Sequence, residues 1–188
     1  MKVHFSATLQ DIDNRIGNYE VVVNAIKGSG NELVRDWLQE YRSSRANKHD
    51  FTEEEWQNIN EETLGAVQSA DAVILDVSVS SFSMGYIAAT ALANKKPLLM
   101  LFDRTPQPYI LNSSNSLKRS EVYKNFDDLE RIVTAFLREI DVDANNLRFN
   151  MVLDREVYNY LNWESVNSGK TKAQIVREVL KERIRRKD

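Results

Sequence analysis

The sequence predicts an α/β fold, a three-layer sandwich around a parallel-type sheet, with a small second domain at its C-terminal end. Three observations carry that expectation. Two short apolar runs, Ala72-Val73-Ile74-Leu75 and Pro97 to Phe102, flank a helix pattern of small residues from Met84 to Asn94. Buried strands joined through a helix form the βαβ unit of a parallel sheet. Apolar runs and helix patterns alternate in this way through residues 1–141, a Rossmann-like order. The pattern then changes at Leu147, where one alternating strand pattern is followed by two capped helices. Residues 1–141 are therefore read as one domain, 142–146 as a linker and 147–188 as a second domain.

Composition bounds the class. Of 188 residues, 42% are hydrophobic and 28% charged, enough to bury a core. No apolar run approaches the roughly 20 residues of a spanning helix, so no membrane partner is expected. The chain opens on MKVHFSATL, a strand pattern without signal-peptide features, which points to a cytoplasmic protein. The absence of cysteine excludes disulfides and thiolate zinc sites. His4 and His49 are the only histidines, so no metal site is expected, and no cofactor either. Charge is uneven: residues 148–188 carry a net +4, and the rest of the chain −7. A basic tail on an acidic body is a hint of nucleic-acid binding.

In chain order, Lys2 to Leu9 reads as a buried strand running into a polar loop. A helix follows with apolar Ile16, Val22, Val23 and Ile26, stopped by Gly28-Ser29-Gly30. Leu33 to Leu38 reads as a second strand and Tyr41 to Asp50 as a polar loop. Thr52, with Glu55 three residues on, forms a capping box for a helix reaching Ser69. After the central βαβ unit, Asp103 to Ser120 is a long loop and Glu121 to Phe126 a last short strand. Asp127 to Ile140 then carries Leu129, Ile132, Val133, Phe136 and Leu137 at helical spacing.

The loop after the first central strand, Ser78 to Ser83, leaves the carboxyl edge of the sheet and opens a helix. Anionic ligands bind there in open α/β folds, because backbone N–H groups and the helix dipole converge on that point. Ser81 and Ser83 lie in this loop, Gly85 follows it in the helix, and Asp76 ends the strand before it. Ser and Gly are also what any tight strand-to-helix turn prefers.

The first strand and loop, the AD-AVILDV strand, the S-x-S-x-G-Y turn and the A-x-x-NKKPLLMLF segment together resemble the nucleoside 2-deoxyribosyltransferase superfamily. The likeness is strongest to its branch of 2'-deoxynucleoside 5'-monophosphate N-glycosidases and covers residues 1–140. The resemblance implies a nucleotide or nucleoside ligand with Thr8, Asp76, Ser81, Ser83 and Gly85 as its binding residues, and a 5'-phosphate cradle at Ser81, Ser83 and Gly85. It implies Phe5 and Tyr86 as rings that could flank a base, and a dimer or larger homo-oligomer. It also implies two catalytic carboxylates, and here the chain departs. Where the family has G-Y-E, this sequence has Gly85-Tyr86-Ile87, and the helix acid, eleven residues before Asp71, falls on Asn60. An oxocarbenium-like transition state needs a carboxylate, which isoleucine and asparagine cannot supply. Positioned acid–base groups contribute about 10²–10⁴-fold each. Asp76 is the remaining catalytic candidate.

The tail has its own resemblance. Leu147 to Leu153, LRFNMVL, alternates as a half-buried strand. Asp154 caps a helix with Val157, Tyr158, Leu161 and Trp163, and Asn167-Ser168-Gly169 breaks it. Thr171 caps a second helix carrying Ile175, Val176, Val179, Leu180 and Ile184. This is similar to the ribbon-helix-helix DNA-binding domain. One strand and two helices cannot enclose a core, so two chains must pair. The resemblance implies a two-stranded ribbon in the DNA major groove, read by Arg148, Asn150 and Val152, with Thr171 and Lys172 on a phosphate. The same module can also serve as a dimerisation clasp alone.

The sequence thus predicts a homodimeric DNA-binding regulator with a nucleotide-binding domain that lacks the catalytic acids. The alternative is an active deoxyribosyltransferase or N-glycosidase using other acids, with the tail as a clasp. A third option is an antitoxin or assembly protein with an empty pocket.

Overall fold

The structure, a computed structural model, describes residues 1–46, 51–103, 116–144 and 152–186. The chain divides into two compact units, Met1–Asn146 and Leu147–Asp188. In the first, the elements are β1 (Lys2–Ala7), α1 (Ile12–Gly28), β2 (Glu32–Leu33), α2 (Trp37–Ala46), α3 (Glu53–Ser69) and β3 (Ala72–Asp76). They continue with α4 (Phe82–Ala93), β4 (Leu98–Phe102), β5 (Lys118–Val122) and α5 (Phe126–Ala144). The five strands form one parallel sheet in the order β2-β1-β3-β4-β5. This is the expected α/β sandwich with a Rossmann-like parallel sheet.

Period-two alternation sorts the core into two layers. Val3, Phe5, Ile74, Leu99 and Leu101 turn to one face, where they meet Tyr19 and Ile26 of α1 and Leu129 and Val133 of α5. Val73, Leu75, Leu98 and Met100 turn to the other, against Val67 of α3 and Met84, Ile87 and Ala91 of α4. Every residue of β3 and β4 is buried, as strands covered on both faces require. Strand order reverses between β1 and β3, so the crevice beyond their carboxyl ends is the natural ligand position.

Several elements differ from the sequence reading. Only Glu32–Leu33 of the expected second strand pairs with β1, and Trp37 and Leu38 already belong to α2. Asp36 decides this. Its carboxylate accepts the Gln39 amide at 3.2 Å, the reach of a helix cap. The helix continues through Ala46, where a polar loop was expected; residues 47–50 of that loop lie outside the described residues. The last strand is not Glu121 to Phe126 but β5, and Phe126 opens α5. Its sequence KRSEV has no apolar run, so its pairing with β4 defines it. α4 begins at Phe82 rather than Met84, because Ser81 is extended and takes the N-cap position. α5 runs to Ala144, into the stretch read as a linker.

In the second unit, α6 spans Arg155–Ser168 and α7 spans Lys172–Arg185. Asp154 accepts the Val157 amide at 2.9 Å, and Gly169 ends α6 in the left-handed region at φ 70°, which favours glycine. Thr171 and Gln174 form a capping box on α7. Of the expected tail strand, residues 147–151 lie outside the described residues, and Val152 and Leu153 are not in a strand. Among the described residues no helix is long and apolar enough to cross a membrane.

Candidate functional site

A cavity of about 190 Å³ opens at the carboxyl ends of β1 and β3, on the α3–α4 face. It is smaller than the roughly 300–1,000 Å³ usual for ligand pockets. Its floor is the end of β1, where Ser6 and Thr8 turn to the face opposite Phe5 and Ala7. One wall is the N-terminus of α4, with Ser81, Ser83, Met84 and Ile87. Ser81 makes no side-chain cap bond, so its hydroxyl is not used by the helix. The first amides of α4 have no partner in the helix and point outward with the positive end of its dipole. An anion is stabilised in that position.

The opposite wall is aromatic. Trp37 and Tyr41 come from α2, Phe51 from the residue before the Thr52 cap of α3 and Trp56 from the first turn of that helix, with the Phe51 and Trp56 rings 5.1 Å apart. Trp37 is fixed from behind by its indole N–H, which donates to the Phe5 carbonyl at 2.8 Å, and by ring contacts with Phe5 and Tyr19. Arg35 links the walls: its guanidinium reaches both Glu40 oxygens, the Ile59 carbonyl and the Thr63 hydroxyl, and pairs with Glu62 at 3.2 Å. Beside Arg35, His4 is buried with neither ring nitrogen hydrogen-bonded. Burial, and then the nearby guanidinium, push its pKa down to about 4.

Thr8, Ser81 and Ser83 line the cavity as expected. Ile87 and Asn60, at the positions where the resemblance placed the two catalytic acids, line it as well. Gly85 is not among the lining residues, and a side chain there would meet nothing within 4 Å. Phe5 is wholly buried in the core and Tyr86 is 54% exposed, and neither lines the cavity, whose aromatic residues are Trp37, Tyr41, Phe51 and Trp56.

Asp76 belongs to a different place. Strand alternation turns it to the α1–α5 face, where Oδ2 accepts the Tyr123 hydroxyl at 2.9 Å and Oδ1 the Ser78 amide at 3.0 Å. Asn18 of α1 donates to the same Tyr123 oxygen at 2.8 Å, and Ser78 Oγ accepts the Asp103 amide at 3.0 Å. Burial pushes the Asp76 carboxyl up against the opposing pull of its Ser78 and Tyr123 hydrogen bonds. Burial and the Asp76 charge push Tyr123 up to about 12. This network joins β3, α1 and the segment after β5 beneath the sheet edge.

In the tail, Arg148 and Asn150 lie outside the described residues, and Val152 is fully exposed. Thr171 is engaged in its capping box, and the Lys172 ammonium sits 4.2 Å over the Tyr158 ring. Among the described residues no group of three His, Cys, Asp or Glu side chains is placed to hold a metal ion. Sequence reasoning missed Arg35, Trp37, Glu40, Tyr41, Phe51 and Trp56. The signal was present in Trp37, Glu40 and Tyr41, whose i, i+3, i+4 spacing is that of one helix face.

No family model matches the chain. It is 25% identical over 138 residues to a Methanosarcina barkeri protein named as a candidate 2'-deoxynucleoside 5'-phosphate N-hydrolase 1, covering 72% of this chain and 84% of that protein. A Methanosarcina mazei protein of the same name is 24% identical over 140 residues, 73% of this chain and 84% of its own. These likenesses agree with the resemblance to the nucleoside 2-deoxyribosyltransferase superfamily read from the sequence. The solved structure of Clostridium botulinum CMP N-glycosidase, BcmB, aligns with a TM-score of 0.48 at 12% identity, over 76% of this chain and 99% of that one.

Proposed function

We propose that the chain is a homo-oligomeric DNA-binding regulator whose α/β domain binds a nucleotide or nucleoside without hydrolysing it. One observation carries the reading. The cavity has the parts a nucleoside monophosphate needs, a helix N-terminus for phosphate and an aromatic wall for the base, while Ile87 and Asn60 face it where the resemblance calls for two acids. The basic tail supplies the DNA-binding half.

A second reading keeps the enzyme. The two archaeal relatives are named as N-hydrolases, and among the described lining residues Glu40 is the one carboxylate. Incubation with deoxynucleoside 5'-monophosphates separates the two. The regulator reading expects no free base by chromatography, together with a raised melting temperature. Ligand at 100 times its dissociation constant adds about 2.7 kcal/mol of stability. Ser81→Asp places a negative charge against the phosphate and is expected to abolish the shift. Base release at enzymatic rates, lost in Glu40→Gln, establishes the hydrolase instead.

A further inference from the structure

We infer that residues 41–46, the C-terminal half of α2, are a lid on the cavity, latched against α1 by the ion pairs Arg42–Glu20 and Arg45–Asp13. The inference concerns access rather than the choice of ligand, and holds for whatever molecule the cavity takes. A cavity of about 190 Å³ admits a molecule of usual ligand size only if a wall moves. The α4 wall is held by Met84, Ile87, Ala88 and Ala91, all buried, and the β1 floor belongs to the core. α2 has one buried residue, Leu38, in its first turn. It is the wall with least to hold it.

The beginning of α2 is the anchor. Asp36 caps it and pairs with Lys27 of α1 at 2.7 Å, the Trp37 indole is tied to the Phe5 carbonyl, and Arg35 grips Glu40. Beyond Glu40 the contacts change in kind. Tyr41 packs half-buried at the edge of the core, and its hydroxyl accepts from Arg45 at 2.9 Å. Ser43 Oγ donates to the Gln39 carbonyl at 3.1 Å, a back-bond that bends helices. Arg42 and Arg45 then reach across to Glu20 and Asp13, with both bases on α2, both acids on α1, and all four side chains at the surface. An exposed pair shifts an equilibrium by up to about fivefold and is screened by salt. Two such pairs favour the closed position and still leave local opening within thermal reach, as a lid requires.

The chain has no cysteine, so a single one placed in the cavity floor reports opening without background. Ser6→Cys puts it at a buried lining position, where N-ethylmaleimide, an uncharged reagent, measures how often the floor is uncovered. Labelling of the full chain is expected to be at least about fivefold faster in about 1 M salt than in about 0.01 M. Arg42→Glu turns the Glu20 pair into a repulsion, and is expected to give the fast rate at low salt. Adding Glu20→Arg restores an opposite pair and is expected to restore the slow rate. Ala25→Cys, buried in the α1 side of the core, guards against general loosening, and its labelling is expected to keep one slow rate throughout. A Ser6→Cys rate indifferent to both salt and Arg42→Glu overturns the inference, and so does acceleration of the two cysteines in parallel. Neither result needs a bound nucleotide, so failure of the nucleotide reading stays distinguishable from failure of the lid.

Discussion

His4 is buried in β1 beside a guanidinium, with neither ring nitrogen hydrogen-bonded, an arrangement that tolerates only the neutral ring. Its pKa falls from 6.5 to about 4, so the unfolded chain binds the extra proton first as pH drops. The stability held by the neutral ring is whole above about pH 6.5 and is lost as pH falls toward 4, by on the order of 3 kcal/mol. His4→Gln has similar size and no proton to gain. Urea unfolding at pH 7 and pH 4 is expected to show a smaller loss in this variant than in wild type; equal losses refute the assignment. The Asp76 network allows a second test. Tyr123→Phe removes the hydroxyl from a buried carboxylate and is expected to cost about 1–3 kcal/mol of stability. Because Asp76 turns away from the cavity, nucleotide affinity measured below the melting range should not change. A tenfold loss returns Asp76 to the ligand site.

At the level of elements, legibility follows how much of each signal is local. α3 was readable to its first residue because its capping box is written in Thr52 and Glu55, and both halves of the box form, at 3.3 and 2.8 Å. β3 and β4 were readable because burial on both faces leaves an unbroken apolar run. β5 is half-exposed and polar, held by its ladder to β4, so its sequence carries little sign of a strand. The costliest misreading was at residues 33–38. Leu33, Val34, Trp37 and Leu38 suit a short strand or the start of a helix equally, and the cap at Asp36 breaks the tie. Losing α2 there concealed the aromatic wall and Glu40. The wall at the N-terminus of α4 was legible because a serine turn between a buried strand and a helix has few other geometries.

For the whole molecule, the two units present different problems. Met1–Asn146 encloses a core on both faces of its sheet. In Leu147–Asp188, by contrast, Tyr160, Trp163, Val166, Leu180 and Ile184 are each more than half exposed, and among its described residues Leu161 and Ile175 are the buried apolar ones. A piece of roughly 40 residues rarely stands alone with so small a core. The proposed occupant of this surface is the same surface of a second copy, whose strand would complete the ribbon with residues 147–153. Such a ribbon would carry Arg148 and Asn150 as paired readers, and the net +4 from residue 148 onward would meet the DNA backbone. The expected result is salt-dependent binding by the full chain in gel shifts on the promoter of its own gene. Arg148→Ala should then cost about 1–3 kcal/mol and relax preference at one base position. Lys172→Ala, which removes a charge now resting on Tyr158, should weaken all sequences alike and lower the salt slope by about one unit. A full chain that dimerises in sedimentation but has no salt-dependent DNA affinity would reduce the tail to a clasp, and the regulator reading would fail at the tail even if the cavity bound its nucleotide.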